Sequence, residues 1–370
     1  MEYKKMRSLI SENAESWMQE ERVPGCALCI IHDGEIDYLK CIGYADKKTK
    51  RPVTEDTIFQ LGSISKSVTC WAIMKLVEQQ ILELDEPISS YLNGWSLPFS
   101  QYDKEKITIK HLLSHMGGVD VKSYLGVRDR KNFYSTMESL TGERYKYTKV
   151  RIVREPGETY LYSGGGYTIL QHIIESVTKM PFERYIEQEV LQKLGIRGYY
   201  RIHPEYANLQ AHPYGAFCES QPIYCFPEMA AAGLHMSLRD LIKFVAAHLK
   251  FDNEVLGQES MSLMFKKVKI NILYGLGYFV RNTQSKHYII SMGRNRGYFS
   301  RFDIFHHDGN AFIILTNSIN GSNLSNRLLV PWYKYHLNNT EPNRESLFLN
   351  NTNKLVAFLQ ERIFLLKHMI

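Results

Sequence analysis

The chain has 370 residues, 44% apolar and 23% charged, enough to bury the core of one large domain or two closely packed ones. A formal net charge of +6 is mild and dispersed, with no long basic helix or aromatic-basic ladder, which excludes a nucleic-acid-binding reading. No run of about 18 apolar residues occurs, so no membrane span is expected.

The chain starts with an amphipathic helix signalled by Ile10, Ala14, Trp17 and Met18. Residues 1–7 carry neither an apolar leader core nor a small-residue cleavage site. The expected compartment is therefore a reducing cytoplasm, with Cys26, Cys29, Cys41, Cys70, Cys218 and Cys225 as free thiols. Val23-Pro24-Gly25 breaks the helix. Cys26-Ala27-Leu28-Cys29-Ile30-Ile31 and the stretch 35–42 flank His32-Asp33-Gly34, and Asp-Gly between two strand-like runs predicts a hairpin. No second Cys pair or suitably spaced His pair completes a motif with Cys26-x-x-Cys29, so these thiols read as small buried hydrophobes. Lys47-Lys48-Thr49-Lys50-Arg51 is a solvated charged turn.

Phe59-Gln60-Leu61-Gly62-Ser63-Ile64-Ser65-Lys66-Ser67-Val68-Thr69, continuing to Leu76 and Val77, predicts a helix. Ser63 falls in its first turn, with Lys66 one turn on along the same face. The free N–H groups and partial positive charge of that terminus suit a nucleophile whose reaction generates an oxyanion. Ser-x-x-Lys is a common pattern, and Ser176-Val177-Thr178-Lys179 is a second match. It ends the amphipathic run of Ile169, Leu170, Ile173, Ile174 and Val177 with no Gly-Ser turn before it. That one reads as a helix C-terminus with a cation in its last turn.

Residues 80–220 read mainly as helices and long loops. Ile107-Thr108-Ile109-Lys110-His111-Leu112-Leu113-Ser114-His115 predicts a short helix ending at Gly117-Gly118. His111 and His115 are four apart, but without Glu at 112 this is no zinc-protease helix, and a structural role is preferred. Residues 119–151 are Tyr-rich and basic: Lys122, Arg128, Arg130, Lys131, Arg144, Lys146, Lys149 and Arg151 face Asp120, Asp129, Glu138 and Glu143. The stretch reads as a solvated loop or as a lid favouring anionic substrates.

Pro156-Gly157 leads into Tyr160-Leu161-Tyr162-Ser163-Gly164-Gly165-Gly166-Tyr167, whose glycines permit a tight turn or a close backbone approach but form no dinucleotide fingerprint. Met229-Ala230-Ala231-Ala232-Gly233-Leu234 enters a helix through Ser237-Leu238-Arg239-Asp240-Leu241. From Tyr274 the pattern is strand. Ile289-Ile290 and residues 298–305 flank Ser291-Met292-Gly293-Arg294-Asn295-Arg296-Gly297. A second Asp-Gly turn, His307-Asp308-Gly309-Asn310, leads into Ala311-Phe312-Ile313-Ile314-Leu315. His306, His307 and Asp308 read as a hairpin tip rather than a metal cluster. Leu355, Phe358, Leu359, Ile363 and Leu366 place a helix within 341–370, packed on the body or used as a homo-oligomer contact.

Strands near both ends with helices between them predict an α/β fold of the α+β type. An antiparallel sheet built from both chain ends is flanked by helices and carries a mainly helical inserted domain. The expected division is 1–62 with 224–340 for the sheet domain, 63–223 for the helical domain, and 341–370 for a C-terminal helical extension.

The motifs together resemble the serine β-lactamase-like hydrolases, in the branch of class C β-lactamases and penicillin-binding-protein-related D-peptidases and esterases. The resemblance runs from about Val23 to Asn317 and rests on Val23-Pro24-Gly25, Gly62-Ser63-Ile64-Ser65-Lys66, His111-Leu112-Leu113-Ser114-His115-Met116-Gly117-Gly118, Pro156-Gly157, Tyr162-Ser163-Gly164-Gly165-Gly166-Tyr167, Ala232-Gly233-Leu234 and Tyr274-Gly275-Leu276-Gly277, in the family's order. It implies the β-lactamase/transpeptidase-like fold, with the active site between its two domains. It also implies that Ser63 is the acylated nucleophile and that Lys66 and Tyr162 move its proton. Either a neutral Lys66 is the base, or a cationic Lys66 stabilises a Tyr162 phenolate that is. The backbone N–H groups of Ser63 and Arg294 are the implied oxyanion hole, and Ser291, Gly293 and Gly164 the implied substrate-binding positions.

Two positions depart from the family pattern. The second motif usually reads Tyr-x-Asn and here is Tyr162-Ser163-Gly164; the third usually reads Lys-Thr-Gly or His-x-Gly and here is Ser291-Met292-Gly293. The amide that contacts an acylamide side chain and the cation that meets a substrate carboxylate are both absent. Ser291 can still donate one hydrogen bond, and Arg294, Arg296 or the basic stretch are candidates to replace the charge. The expectation is a serine hydrolase acting on a small ester, amide or D-amino-acid peptide, with no cofactor and no metal. The alternatives are an acyltransferase using the same residues and a non-catalytic binding or scaffold protein.

Overall fold

The computed structural model describes residues 1–128, 132–201, 204–250, 253–283 and 286–337. The expected helix of 341–370, and Asp129, Arg130 and Lys131 of the basic stretch, lie outside the described residues. The chain opens with α1 (Tyr3–Glu20), β1 (Gly25–His32), β2 (Glu35–Asp46), β3 (Arg51–Pro52), β4 (Ile58–Gln60) and α2 (Ser65–Glu78). A mainly helical stretch follows: α3 (Ile109–Leu113), α4 (Thr136–Thr141), α5 (Gly164–Thr178) and α6 (Phe182–Ile186). Then come β5 (Gly198–Tyr199), α7 (Met229–Ala232), β6 (His235–Ser237), α8 (Leu238–Leu249) and α9 (Gln258–Met264). The described part closes with β7 (Phe279–Asn282), β8 (His287–Asn295), β9 (Tyr298–Phe305), β10 (Asn310–Thr316) and α10 (Gly321–His336).

The main sheet has the order β3-β2-β1-β10-β9-β8-β7, with antiparallel neighbours. Its two halves, one from each end of the chain, meet at β1 and β10, as the pattern of strands anticipates. β1 is apolar along nearly its whole length because both faces of the sheet are covered. Ala27, Cys29 and Ile31 enter the core shared with α2 and α8, while Cys26, Leu28 and Ile30 enter the core shared with α1 and α10. Cys26 and Cys29 thus point to opposite faces and cannot act as a pair. All six cysteines are free thiols.

The first hairpin turn forms at Asp33-Gly34, where both residues take left-handed φ values of 51° and 84°. Those values suit a two-residue turn that follows the twist of its strands. One part of the chain differs from its sequence reading. The run from Met229 is not one continuous entry into a helix: α7 stops at Ala232, and β6 pairs with β4 and β5 as a separate three-stranded sheet before α8 begins. Ser237 ends β6 and caps α8, its Oγ accepting the Asp240 N–H at 3.1 Å. No described helix is long and apolar enough to cross a membrane.

Where α2, α8 and β9 pack together, His248 is fully buried among Trp71, Phe244, Tyr278 and Phe302. Its Nδ1–H donates to the Phe244 carbonyl (2.7 Å), so Nε2 accepts from the Tyr278 hydroxyl (2.8 Å). Burial pushes its pKa down to about 3, so the folded protein resists a proton that the unfolded chain takes up near the ordinary value of 6.5. The contribution is therefore complete above about pH 6.5 and is lost progressively as pH falls from there towards 3. Melting temperatures recorded across this range are expected to fall with pH, with a shallower slope for His248→Gln than for the wild type.

Candidate active site

The site is built on the turn before α2. Gly62 takes a left-handed φ of 50° and starts a short 3-10 turn, Gly62–Ile64, that runs into the helix. This leaves Ser63 partly exposed at the helix entrance, while Lys66 on the first turn of α2 is only 3% exposed. Lys66 Nζ lies 3.0 Å from Ser63 Oγ and donates to the Ala231 carbonyl of α7 at 2.6 Å. The Tyr162 hydroxyl lies 2.8 Å from the same Ser63 Oγ. Lys66 Nζ sits 5.1 Å from the Tyr162 ring centroid and 5.5 Å from that of Tyr167. Ser63 Oγ thus has two groups able to exchange a proton with it, one on each side.

Tyr162 is held from the chain on both sides by one residue. The N–H of Leu161 donates to the His115 carbonyl (2.8 Å), and the N–H of Ser163 donates to His115 Nδ1 (3.1 Å). The imidazole packs on the Tyr162 ring with centroids 4.3 Å apart. Burial, reinforced by the nearby Lys66 charge, keeps His115 well below the ordinary histidine range and hence neutral, as its acceptor role requires. His115 adopts a left-handed φ of 61° beyond the end of α3, so it does not share a helical face with His111. The metal alternative for that pair therefore lapses. His111 instead places Nδ1 3.1 Å from the Lys106 carbonyl. His115→Ala is expected to lower kcat by about 10²-fold through misplacement of Tyr162, with KM changed far less, in steady-state ester hydrolysis.

The facing wall is the free edge of β8. Pairing with β7 ends at Ile290, which leaves residues 291–295 open on that side. The two-residue turn joining Asn295 to Tyr298 makes that pair a hydrogen-bonded one, so the ladder alternation turns the Arg294 N–H away from β9 and towards Ser63. Two glycines make the approach possible. A Cβ on Gly293 would lie 1.9 Å from the Leu61 oxygen and 2.6 Å from Ser63 N, and one on Gly62 would lie 2.8 Å from Arg294 N. The backbone of β8 at Gly293 and Arg294 is thereby packed directly against the Gly62-Ser63 turn.

Ser291 is 4% exposed, with its Oγ 2.7 Å from Ser67 Oγ. The Ser67 hydroxyl also lies 3.0 Å from the Gly277 carbonyl, which can only accept. Either hydroxyl of the Ser67–Ser291 pair can be the donor. Gly164 is buried, its N–H held by the Val121 carbonyl at 2.8 Å, and a Cβ there would meet Tyr124 at 3.0 Å. Its backbone supports the loop above it.

The candidate replacement charges lie elsewhere. The Arg294 guanidinium rests 5.7 Å from the centroid of Phe299, its cross-strand partner, on the sheet face away from Ser291. Arg296 donates to Gln221 (3.0 Å) and to the Tyr224 hydroxyl (2.9 Å), and Arg128 donates to the same hydroxyl at 3.2 Å. Arg151 is paired with Asp120 at 2.7 Å. A polar chain links this rim to the centre: Gln60 donates to the Tyr224 carbonyl (2.7 Å), and Asn295 donates to Gln60 (2.9 Å) and to the Ala232 carbonyl (3.1 Å). The second Ser-x-x-Lys lies apart from all of this, with Ser176 buried late in α5 and Lys179 capping the helix in a left-handed conformation.

Sequence reasoning brought Ser63, Lys66 and Tyr162 together but missed His115, Ser67, Gln60, Asn295 and the Ala231 carbonyl. Only His115 carried a signal, its place directly before Met116-Gly117-Gly118.

A model of the family described as Beta-lactamase matches residues 10–327. A Bacillus subtilis relative, the putative penicillin-binding protein PbpX, is 26% identical over 84% of this chain and 74% of its own length. Esterase EstB of Burkholderia gladioli is 28% identical over 51% of this chain and 50% of its own. A Pseudomonas fluorescens β-lactamase is 26% identical over 66% of this chain and 65% of its own length, so the match spans less than two thirds of that relative. Among solved structures, the octameric penicillin-binding protein homologue from Pyrococcus abyssi superposes with a TM-score of 0.73 at 28% identity, covering 91% of this chain and 78% of that one. The class C β-lactamase from Rhodobacter sphaeroides gives 0.71 at 18% identity over 89% and 99% of the two chains, a likeness of fold.

Proposed function

Because the chain belongs to the beta-lactamase family, we propose that it is a serine hydrolase that forms an acyl-enzyme on Ser63 from a small ester, amide or D-amino-acid peptide. The observation that carries this reading is Ser63 Oγ set between Lys66 Nζ at 3.0 Å and the Tyr162 hydroxyl at 2.8 Å. Ser63 attacks the substrate carbonyl carbon while its proton passes to the Lys66–Tyr162 pair. The carbonyl oxygen becomes an oxyanion facing the N–H groups of Ser63 and Arg294. The tetrahedral centre collapses, the bond to the leaving group breaks, and Tyr162 returns the proton to that group. Water then attacks the ester on Ser63 by the same path in reverse and releases the acid.

The substrate preference follows from what borders Ser63. Ser291 carries no charge where the family pattern has a cation, Gly164 is covered, and the Arg294 guanidinium lies on the other face of the sheet. A hydrogen bond to a charged group is worth about 1.5–3 kcal/mol, so a substrate carboxylate forfeits about 10–100-fold in binding here. Neutral esters are favoured over penicillins and cephalosporins. Esterase EstB is named for such an activity, and a relative from Salmonella paratyphi B is named as a putative D-alanyl-D-alanine carboxypeptidase. Transfer of the acyl group to an alcohol or amine would use the same residues, and the structurally similar EstCE1 is described as a hydrolase with promiscuous acyltransferase activity. The free thiols suit a reducing compartment, and the octameric Pyrococcus homologue makes self-assembly a reasonable expectation of this reading.

The test is covalent labelling. Incubation with a fluorophosphonate should add one adduct to the intact mass of the wild type and none to Ser63→Ala. Absence of any adduct with fluorophosphonate, penicillin and activated esters would sink the acyl-enzyme reading in favour of a binding protein. A panel of neutral p-nitrophenyl esters, D-amino-acid amides and a chromogenic cephalosporin then ranks the substrates.

A further inference from the structure

His306 and His307 lie on the 3-10 turn that follows β9, where the chain alone suggests a hairpin tip. The structure adds a third imidazole from a distant point in the sequence. In the β8–β9 ladder Ile289 faces Ile304, so two residues further out His287 comes opposite His306. Between them Tyr288 and Phe305 stack with centroids 4.5 Å apart, which fixes the spacing of the two strands at this end. The ring of His306 lies 5.0 Å from that of His287 and 4.2 Å from that of His307.

We propose that His287, His306 and His307 form a binding site for one divalent transition-metal ion of the zinc class. Each can offer a ring nitrogen within 4.8 Å of the others. Tetrahedral coordination at about 2.0–2.1 Å places ligand nitrogens about 3.4 Å apart, so modest side-chain rotation closes the set. His307 is exposed, which permits that rotation, while His306 is buried and anchors the site. His287 is already oriented as metal-binding imidazoles usually are. Its Nε2 lies 2.9 Å from the Phe265 carbonyl, to which it can only donate, so the lone pair is on Nδ1.

Three imidazoles without a thiolate or several carboxylates match a borderline ion such as zinc, nickel or copper rather than calcium or magnesium. The neighbouring Asp308 is occupied by Lys286 at 2.5 Å, so the fourth position is left to water. Lys266 and Lys267 line the adjoining cavity with His287, and their positive charge opposes cation binding there. A bound ion would tie the start of β8, the strand that carries Ser291 and Gly293, to the turn after β9. The site uses no residue placed around Ser63, and it stands whether or not Ser63 is acylated.

The experiment uses the full chain, stripped with EDTA and dialysed. Calorimetric titration with zinc sulfate should show one site per chain, and cobalt(II) should give the visible absorption of a tetrahedral complex. His307→Ala, an exposed substitution that leaves the core intact, should weaken zinc binding at least about tenfold. His287→Ala/His307→Ala should abolish it. Zinc should raise the melting temperature of the wild type and leave that of the double variant unchanged. The proposal is overturned by the lack of one-to-one binding at 100 μM zinc, or by binding that persists unchanged in the double variant.

Discussion

Ser63→Ala is expected to abolish both labelling and turnover, and Lys66→Met to lower kcat by about 10²–10⁴-fold, the usual contribution of a positioned proton-transfer group. Methionine keeps most of the volume of a side chain that is 3% exposed and packed near Tyr162 and Tyr167, so the core should survive. It removes the donor to Ser63 Oγ and also the one to the Ala231 carbonyl. The second loss leaves a buried acceptor unpaired at a cost of about 1–3 kcal/mol, so stability must be recorded beside activity. If Ser63 and Lys66 act as one unit, the double variant will be no slower than Ser63→Ala alone. Multiplicative losses would show that Lys66 supports the fold and not the chemistry. Wild-type turnover by Lys66→Met would remove Lys66 from the mechanism altogether.

The features legible in the sequence were those set by local chemistry. Asp33-Gly34 announced its own hairpin because few residues other than Gly, Asn and Asp tolerate two successive left-handed positions. The three-residue spacing from Ser63 to Lys66 became a contact because a helix brings i and i+3 to one face. Tyr162 came only through the resemblance, since nothing local marks a tyrosine 99 residues away as a neighbour of Ser63. His115 was hidden for a related reason. Helical spacing paired it with His111, but the helix ends at Leu113 and a left-handed turn sends His115 to Tyr162 instead. The contact of Ser291 with Ser67 was beyond any reading of the chain, because it joins residues 224 apart. His287 joined His306 and His307 only through the register of two strands. The strand β6 was missed because three residues between two helical patterns carry too short a period to detect.

Breaking the buried ion pair behind the site is expected to destabilise the protein by about 3–5 kcal/mol, as when one partner of such a pair is removed. Arg301 and Asp303 are two apart on β9 and so share a face; both are fully buried beneath α10. The guanidinium holds the carboxylate with two bonds, Nε to Oδ1 at 2.6 Å and Nη2 to Oδ2 at 2.9 Å. The hydroxyl of Tyr333 from α10 completes the cluster, 3.0 Å from Nη2 and hydrogen-bonded to Asp303. Arg301→Met leaves a carboxylate without its cation, and Asp303→Leu leaves a guanidinium without its anion, so each single variant should lower the urea midpoint sharply. Arg301→Met/Asp303→Leu removes both charges together and should recover much of the loss, because an apolar pair of similar volume needs no partner in that core. Equal losses in the singles with no recovery in the double would mean that packing around Tyr333, not charge, holds this face. Met292 and Arg301 are cross-strand partners, so the cluster also braces β8 beside Gly293 and Arg294. Activity per folded molecule should therefore follow the same order as stability, with the double variant more active than either single.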